Sequence, residues 1–139
     1  MRELPRKLTA PELAALFSGT TRFVERLAER TNPLEAAGEV ARELSEEEKA
    51  EALAAHPRIG EASPEQSGDE PAVLAELAEL NRAYEDKFGF RFVVFVDGRP
   101  RSAILPILRE RLGRTREEEL ETGLHELVAI ARDRWIRTT

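Results

Sequence analysis

At 139 residues the chain is the size of a single domain, long enough to close one hydrophobic core. It has no cysteine and only two histidines, which excludes disulfides and thiolate chemistry and leaves too small a ligand set for the usual zinc or iron site, so no metal is expected. A formal charge of -6 and an isoelectric point near 5.1 argue against nucleic acid as a partner, because binding phosphates requires concentrated Lys and Arg.

Thr9 and Glu12 have the spacing of a capping box and open a short helix that Gly19 is expected to end. A second helix is read from about Thr21 to Arg30, stopped by Asn32-Pro33, and a third from about Leu34 to Leu44. Ser45 with Glu48 repeats the capping box, and Glu46 to Ala55 are strong helix formers without a breaker. Pro57 stops this helix. A residue before proline is pushed out of the α region, so His56 sits where the backbone leaves the helix and its ring is free to face a cleft.

Pro71 opens the next helix, in which Val73, Leu74, Leu77, Leu80, Tyr84 and Phe88 recur at spacings of three and four before Gly89 terminates it. Phe90 to Val96 is apolar except for Arg91 and rich in aromatic and β-branched residues, the local signature of a buried strand. No other segment offers it a partner strand. It is therefore read as an extended core segment, in part open to helix, within an otherwise helical domain. Asp97-Gly98-Arg99-Pro100 makes a turn, Ser102 to Leu112 a helix with Pro106 near its start, and Thr115 with Glu118 caps a last helix running to about Trp135. The expected fold is all-α: a single domain over residues 1–139, of about seven helices with one extended apolar segment. No apolar run approaches the length of a membrane span and the amino terminus lacks a signal-peptide core, so no membrane partner and a cytoplasmic location are expected.

The residues with the most chemistry lie in one stretch. His56-Pro57-Arg58-Ile59-Gly60 is followed closely by Glu65-Gln66, which brings a proton carrier, a carboxylate and an amide to one loop. Histidine has a reference pKa of about 6.5, so both of its forms are available near neutrality. Gln66 can donate and accept hydrogen bonds at once.

The His-Pro motif, Glu65-Gln66 and the run from Asn81-x-x-Tyr84 through Lys87-Phe88-Gly89-Phe90-Arg91-Phe92-Val93-Val94 to Val96, in this order and at these intervals, resemble the 2-oxo-4-hydroxy-4-carboxy-5-ureidoimidazoline (OHCU) decarboxylases of urate breakdown. The resemblance extends from Phe23-Val24-Glu25-Arg26-Leu27-Ala28 to the last helix. It implies cofactor-independent decarboxylation of a small ureidoimidazoline to (S)-allantoin, with His56 and Glu65 as catalytic residues. Pro57, Ser63 and Gln66 would bind substrate, together with the backbone of Phe92, Val93, Val94, Phe95 and Val96. The stretch between Gly60 and Glu65 is shorter than usual in the family, which puts Ser63 two places before Glu65 where the family has a serine three before. A homodimer is an open expectation.

Arg58 and Arg111 are further candidates for meeting the leaving carboxylate, although a surface place is expected for each because arginines are common in this chain. His125, off the apolar face of the last helix, is expected to be solvated. Two other readings compete. One is an acidic helical interaction module in which Phe88, Phe90, Phe92 and Phe95 form a groove for a partner helix. The other is a lyase or hydrolase acting on a related ureido compound.

Overall fold

Side-chain caps open four of the helices in the computed structural model, which describes residues 3–57 and 71–137. Helix α1 (Ala10–Phe17) opens on the reciprocal Thr9–Glu12 capping box, and α4 (Glu46–Ala54) on the same arrangement between Ser45 and Glu48. Each box satisfies two amide groups that a helix start would otherwise leave open, and such a cap stabilises by about 1 kcal/mol. Helix α2 (Arg22–Ala28) is capped by the Thr21 hydroxyl, and α3 (Pro33–Glu43) begins at Pro33 after Asn32 turns the chain in a left-handed conformation. Helices α5 (Pro71–Phe88), α6 (Arg101–Leu112) and α7 (Arg116–Arg137) complete the described set of seven. Thr115 caps α7 by accepting from the Glu118 amide at 3.1 Å while its own amide donates to the Glu118 carboxylate at 3.0 Å.

Helix α7 is the spine, packed against α1, α3 and α4, while α2 touches α1, α3 and α4, and α5 pairs with α6. Gly123 allows the close approach of α7 to α4. A Cβ there would stand 3.0 Å from both methyl carbons of Leu53, three residues before His56. The core runs from Leu13, Phe17 and Phe23 through Leu53 and Leu77 to Ile104, Leu108 and Leu127, all buried.

Residues 91–96 form neither helix nor strand. The extended reading of this stretch holds and its helical option does not. It starts after Gly89, whose φ of +82° closes α5 in a conformation glycine adopts without strain, and it ends at the Asp97–Gly98 turn. Phe88, Phe90 and Phe92 are each at most 3% exposed, and Tyr84 packs edge-on against Phe90 and Phe92. Three of the four rings proposed for a partner groove are thus core residues, and the interaction-module reading falls with them.

Two smaller expectations also change. The left-handed residue ending α1 is Ser18, whose amide and that of Gly19 both return to the Ala14 carbonyl. Leu74, placed on the apolar face of α5 by its spacing, is 38% exposed, and buried Asn81 joins Leu77, Tyr84 and Phe88 on the inward face.

Candidate active site

Helix α4 delivers His56 to a site between α7 and the extended segment. The helix ends at Ala54, and the His56 amide still donates to the Leu53 carbonyl at 3.2 Å, so the residue completes the last turn with its backbone held. Arg91, at the start of the extended segment, reaches across and donates from Nη1 to the His56 carbonyl at 2.9 Å. Pro57 follows, exposed.

The ring of His56 is half-buried, and its buried Nδ1 has no hydrogen-bond partner among the described residues. Burial is the main cause that lowers its pKa to about 4, reinforced by the positive charges of Arg134 and Arg91. Arg134, on α7, is anchored from Nη1 to the Leu16 carbonyl at 2.7 Å and to the Ser18 hydroxyl at 2.9 Å, which brings the left-handed end of α1 into the site's framework. His56 is therefore neutral near pH 7 and able to accept a proton.

The extended segment is tied down at several of its backbone groups. The Val93 carbonyl accepts from Arg111 Nη1 at 2.7 Å, the Phe95 amide donates to Glu126 at 3.3 Å, and Arg99 donates to the Phe95 and Val96 carbonyls. Phe92, Val93 and Val94 are buried, Phe95 and Val96 half-buried. Among the described residues the backbone N–H and C=O groups of Phe92 and Val94 make no hydrogen bond. Buried backbone groups are nearly always paired, so these leave donors and acceptors that a ligand could meet.

Sequence reasoning placed Arg111 at the surface, and the structure overturns this. Arg111 is only 5% exposed and lies at the hub of a buried polar network. Its Nε pairs with Glu119 at 2.7 Å, its Nη1 holds Val93, and its guanidinium carbon lies 4.6 Å from the centre of the Phe92 ring. Glu119, with no exposed surface, also accepts from the Tyr84 hydroxyl at 2.6 Å and from Arg114 at 3.0 Å. Burial first, and then the Glu119 hydrogen bond, push the Tyr84 pKa far up, so it stays a donor. This network joins α5, α6 and α7 beneath the extended segment.

Arg58, Ser63, Glu65 and Gln66 lie outside the described residues. His125 is exposed, as expected. It borders a cavity of about 250 Å³ between α3, α4 and α7, lined also by Arg42, Lys49 and Arg132; neither His56 nor residues 92–96 line it.

Residues 3–135 match the OHCU decarboxylase family. The chain belongs to that family. Among its relatives is a 2-oxo-4-hydroxy-4-carboxy-5-ureidoimidazoline decarboxylase of Halalkalicoccus jeotgali, 31% identical over 101 residues, which are 64% of this chain and 57% of that protein. The uric acid degradation bifunctional protein TTL of Arabidopsis thaliana is 34% identical over 97 residues, 58% of this chain and 30% of that protein. These matches thus span well under two thirds of each relative. Among solved structures, an OHCU decarboxylase crystallised in the presence of (S)-allantoin superposes with a TM-score of 0.77 at 27% identity, covering 89% of this chain and 94% of that one. The chain thus shares its overall fold with that OHCU decarboxylase.

Proposed function

We propose that this protein decarboxylates 2-oxo-4-hydroxy-4-carboxy-5-ureidoimidazoline to (S)-allantoin without a cofactor. The observation that carries the reading is the tether between His56 and the extended segment through Arg91, in a chain of the OHCU decarboxylase family. Loss of CO2 leaves an electron pair on the ring carbon, and cofactors often serve as the sink for such a pair. This substrate carries its own sink. The carboxylate leaves from a carbon next to an imine, so the pair moves into the C=N bond and the imine nitrogen takes a proton. The neighbouring hydroxyl then gives up its proton as a carbonyl forms, and the former imine carbon is protonated on one face. In total one proton is drawn from solvent for each CO2 released.

His56 is assigned the proton work. Neutral at pH 7, it takes the hydroxyl proton and is then the acid that can return one to carbon. Glu65 is assigned to orient the substrate and set the charge, Gln66 to meet the ureido or ring amides, and Ser63 and Pro57 to bind substrate. The free backbone groups of the Phe92–Val96 stretch pair with the heterocycle, where one unpaired buried amide would cost about 1–3 kcal/mol. Arg91 and Arg134 place positive charge beside His56, which suits a substrate that arrives as a carboxylate anion. No helix among the described residues is long and apolar enough to cross a membrane.

The direct test is to generate the unstable substrate from urate in situ and follow optical rotation. Protein dialysed against a strong chelator is expected to yield optically active allantoin faster than spontaneous decay. Racemic product at the uncatalysed rate, from folded protein before and after dialysis, would remove the assignment.

The pH dependence follows from the low pKa of His56. A base is active only when unprotonated, so kcat/KM should fall as pH drops through about 4 and not through 6.5. Arg91→Gln removes one of the positive charges that hold this pKa down and should move the acid limb upward. A wild-type limb at 6.5, or one unmoved in this variant, contradicts the role given to His56. The same depression affects folding. Between pH 6.5 and about 4 the unfolded chain binds a proton at His56 that the native protein does not, so stability is complete above 6.5 and declines as pH falls through that window.

A further inference from the structure

We propose that Arg111, held by Glu119 and Tyr84, is a positioning residue that sets the backbone of the Phe92–Val94 stretch for substrate. This rests on the decarboxylase reading above and adds to it a device outside the His-Pro and Glu-Gln motifs.

Three contacts from one planar group determine where that stretch lies. Arg111 Nη1 donates to the Val93 carbonyl at 2.7 Å, the guanidinium faces the Phe92 ring at 4.6 Å, and Nε is locked by Glu119 at 2.7 Å. A guanidinium can stack and donate along two directions at once, which an ammonium cannot do. The carbonyl it holds lies between the two residues, Phe92 and Val94, whose backbone groups are free among the described residues. Rotating that peptide plane would turn the neighbouring N–H and C=O groups with it. Glu119 is in turn oriented from two further sides, by the Tyr84 hydroxyl at 2.6 Å and Arg114 at 3.0 Å, so the guanidinium has little freedom.

Stability alone explains this arrangement poorly. Buried ion pairs are often no better for stability than well-packed apolar residues of the same volume, and among the described residues this one leaves the buried Arg111 Nη2 without a partner. What apolar residues could not supply is a donor aimed at one carbonyl of a segment that has no ladder of its own.

The test compares wild type, Arg111→Lys and Tyr84→Phe by amide hydrogen exchange on the unliganded proteins and by steady-state kinetics with substrate generated in situ. Arg111→Lys keeps the charge next to Glu119 but cannot also stack on Phe92 and hold Val93. It is expected to exchange the Phe95 amide, which donates to Glu126 at 3.3 Å, at least tenfold faster, with core amides such as that of Leu127 unchanged. KM should rise about tenfold or more, and the acid limb of kcat/KM should stay where it is, since His56 is untouched. Tyr84→Phe, which removes one hydroxyl, should shift the same quantities in the same direction by about threefold and serves if Arg111→Lys does not fold. Amide exchange and KM equal to wild type in a folded variant would overturn the proposal, as would uniform acceleration of exchange through the core. An inactive wild type would instead defeat the functional reading, and the exchange data would still decide whether Arg111 sets the segment.

Discussion

His56→Asn is expected to remain folded and to lose about two to four orders of magnitude in turnover, the usual worth of a general acid or base. The residue completes the last turn of α4 through its own amide and is tied to Arg91 through its own carbonyl, and both contacts survive any change of side chain. Its Nδ1 has no hydrogen-bond partner among the described residues, so replacing the ring removes no bond from Nδ1 to them. Asparagine retains polarity and much of the volume but cannot carry a proton near neutral pH. Thermal unfolding within a few degrees of wild type, together with allantoin formation reduced to near the spontaneous rate and without handedness, is the expected pair of results. Turnover within tenfold of wild type in the folded variant would remove His56 from the chemistry.

The sequence discloses this residue because its signals are local. A capping box, a run of strong helix formers and a proline are read within a dozen positions, and they determine both the course of α4 and the point where its backbone turns out. The same holds for the boxes at Thr9 and Thr115 and for the glycine that closes α5. Where a boundary depends on competing residues the reading slips. Ser18 takes the left-handed position one place before the glycine suited to it, and its hydroxyl there accepts from Arg134, a contact made by a helix more than a hundred residues away.

The polar network was missed for a related reason. In a chain where charged residues make up 35%, an arginine reads as surface by default. A signal was nevertheless present. Arg111 follows Ile104 and Leu108 at seven and three places, the same helical face, and Glu119 precedes Gly123 and Leu127 by four and eight. A charge in phase with the core positions of its own helix is a candidate for burial, and two such charges of opposite sign are candidates for each other. The exposure of Leu74 is the converse case: its spacing places it on the same face as buried Leu77, Asn81 and Tyr84, but it stands in the first turn of α5 and is 38% exposed there.

Glu119→Ala should therefore be the most destabilising single substitution in this network, costing about 3–5 kcal/mol, the usual result of removing one partner of a buried pair. The deletion strands the Arg111 charge in a site 5% exposed and leaves the buried Tyr84 hydroxyl without its acceptor. For a domain of this size the loss corresponds to a fall in Tm on the order of 10–20 °C, a large part of a total stability of about 5–15 kcal/mol. Arg114→Ala is the internal control. It removes a cation from the same carboxylate, but this side chain is 33% exposed, and the expected cost is about 0–1 kcal/mol. Arg111→Met combined with Glu119→Leu removes both charges together and should be more stable than Glu119→Ala alone, because no ion is left uncompensated. Denaturant unfolding of these three variants beside wild type reads the result directly. A Glu119→Ala midpoint close to wild type, or a double variant less stable than the single one, would mean that the pair is not the buried, mutually dependent unit that its 2.7 Å contact describes.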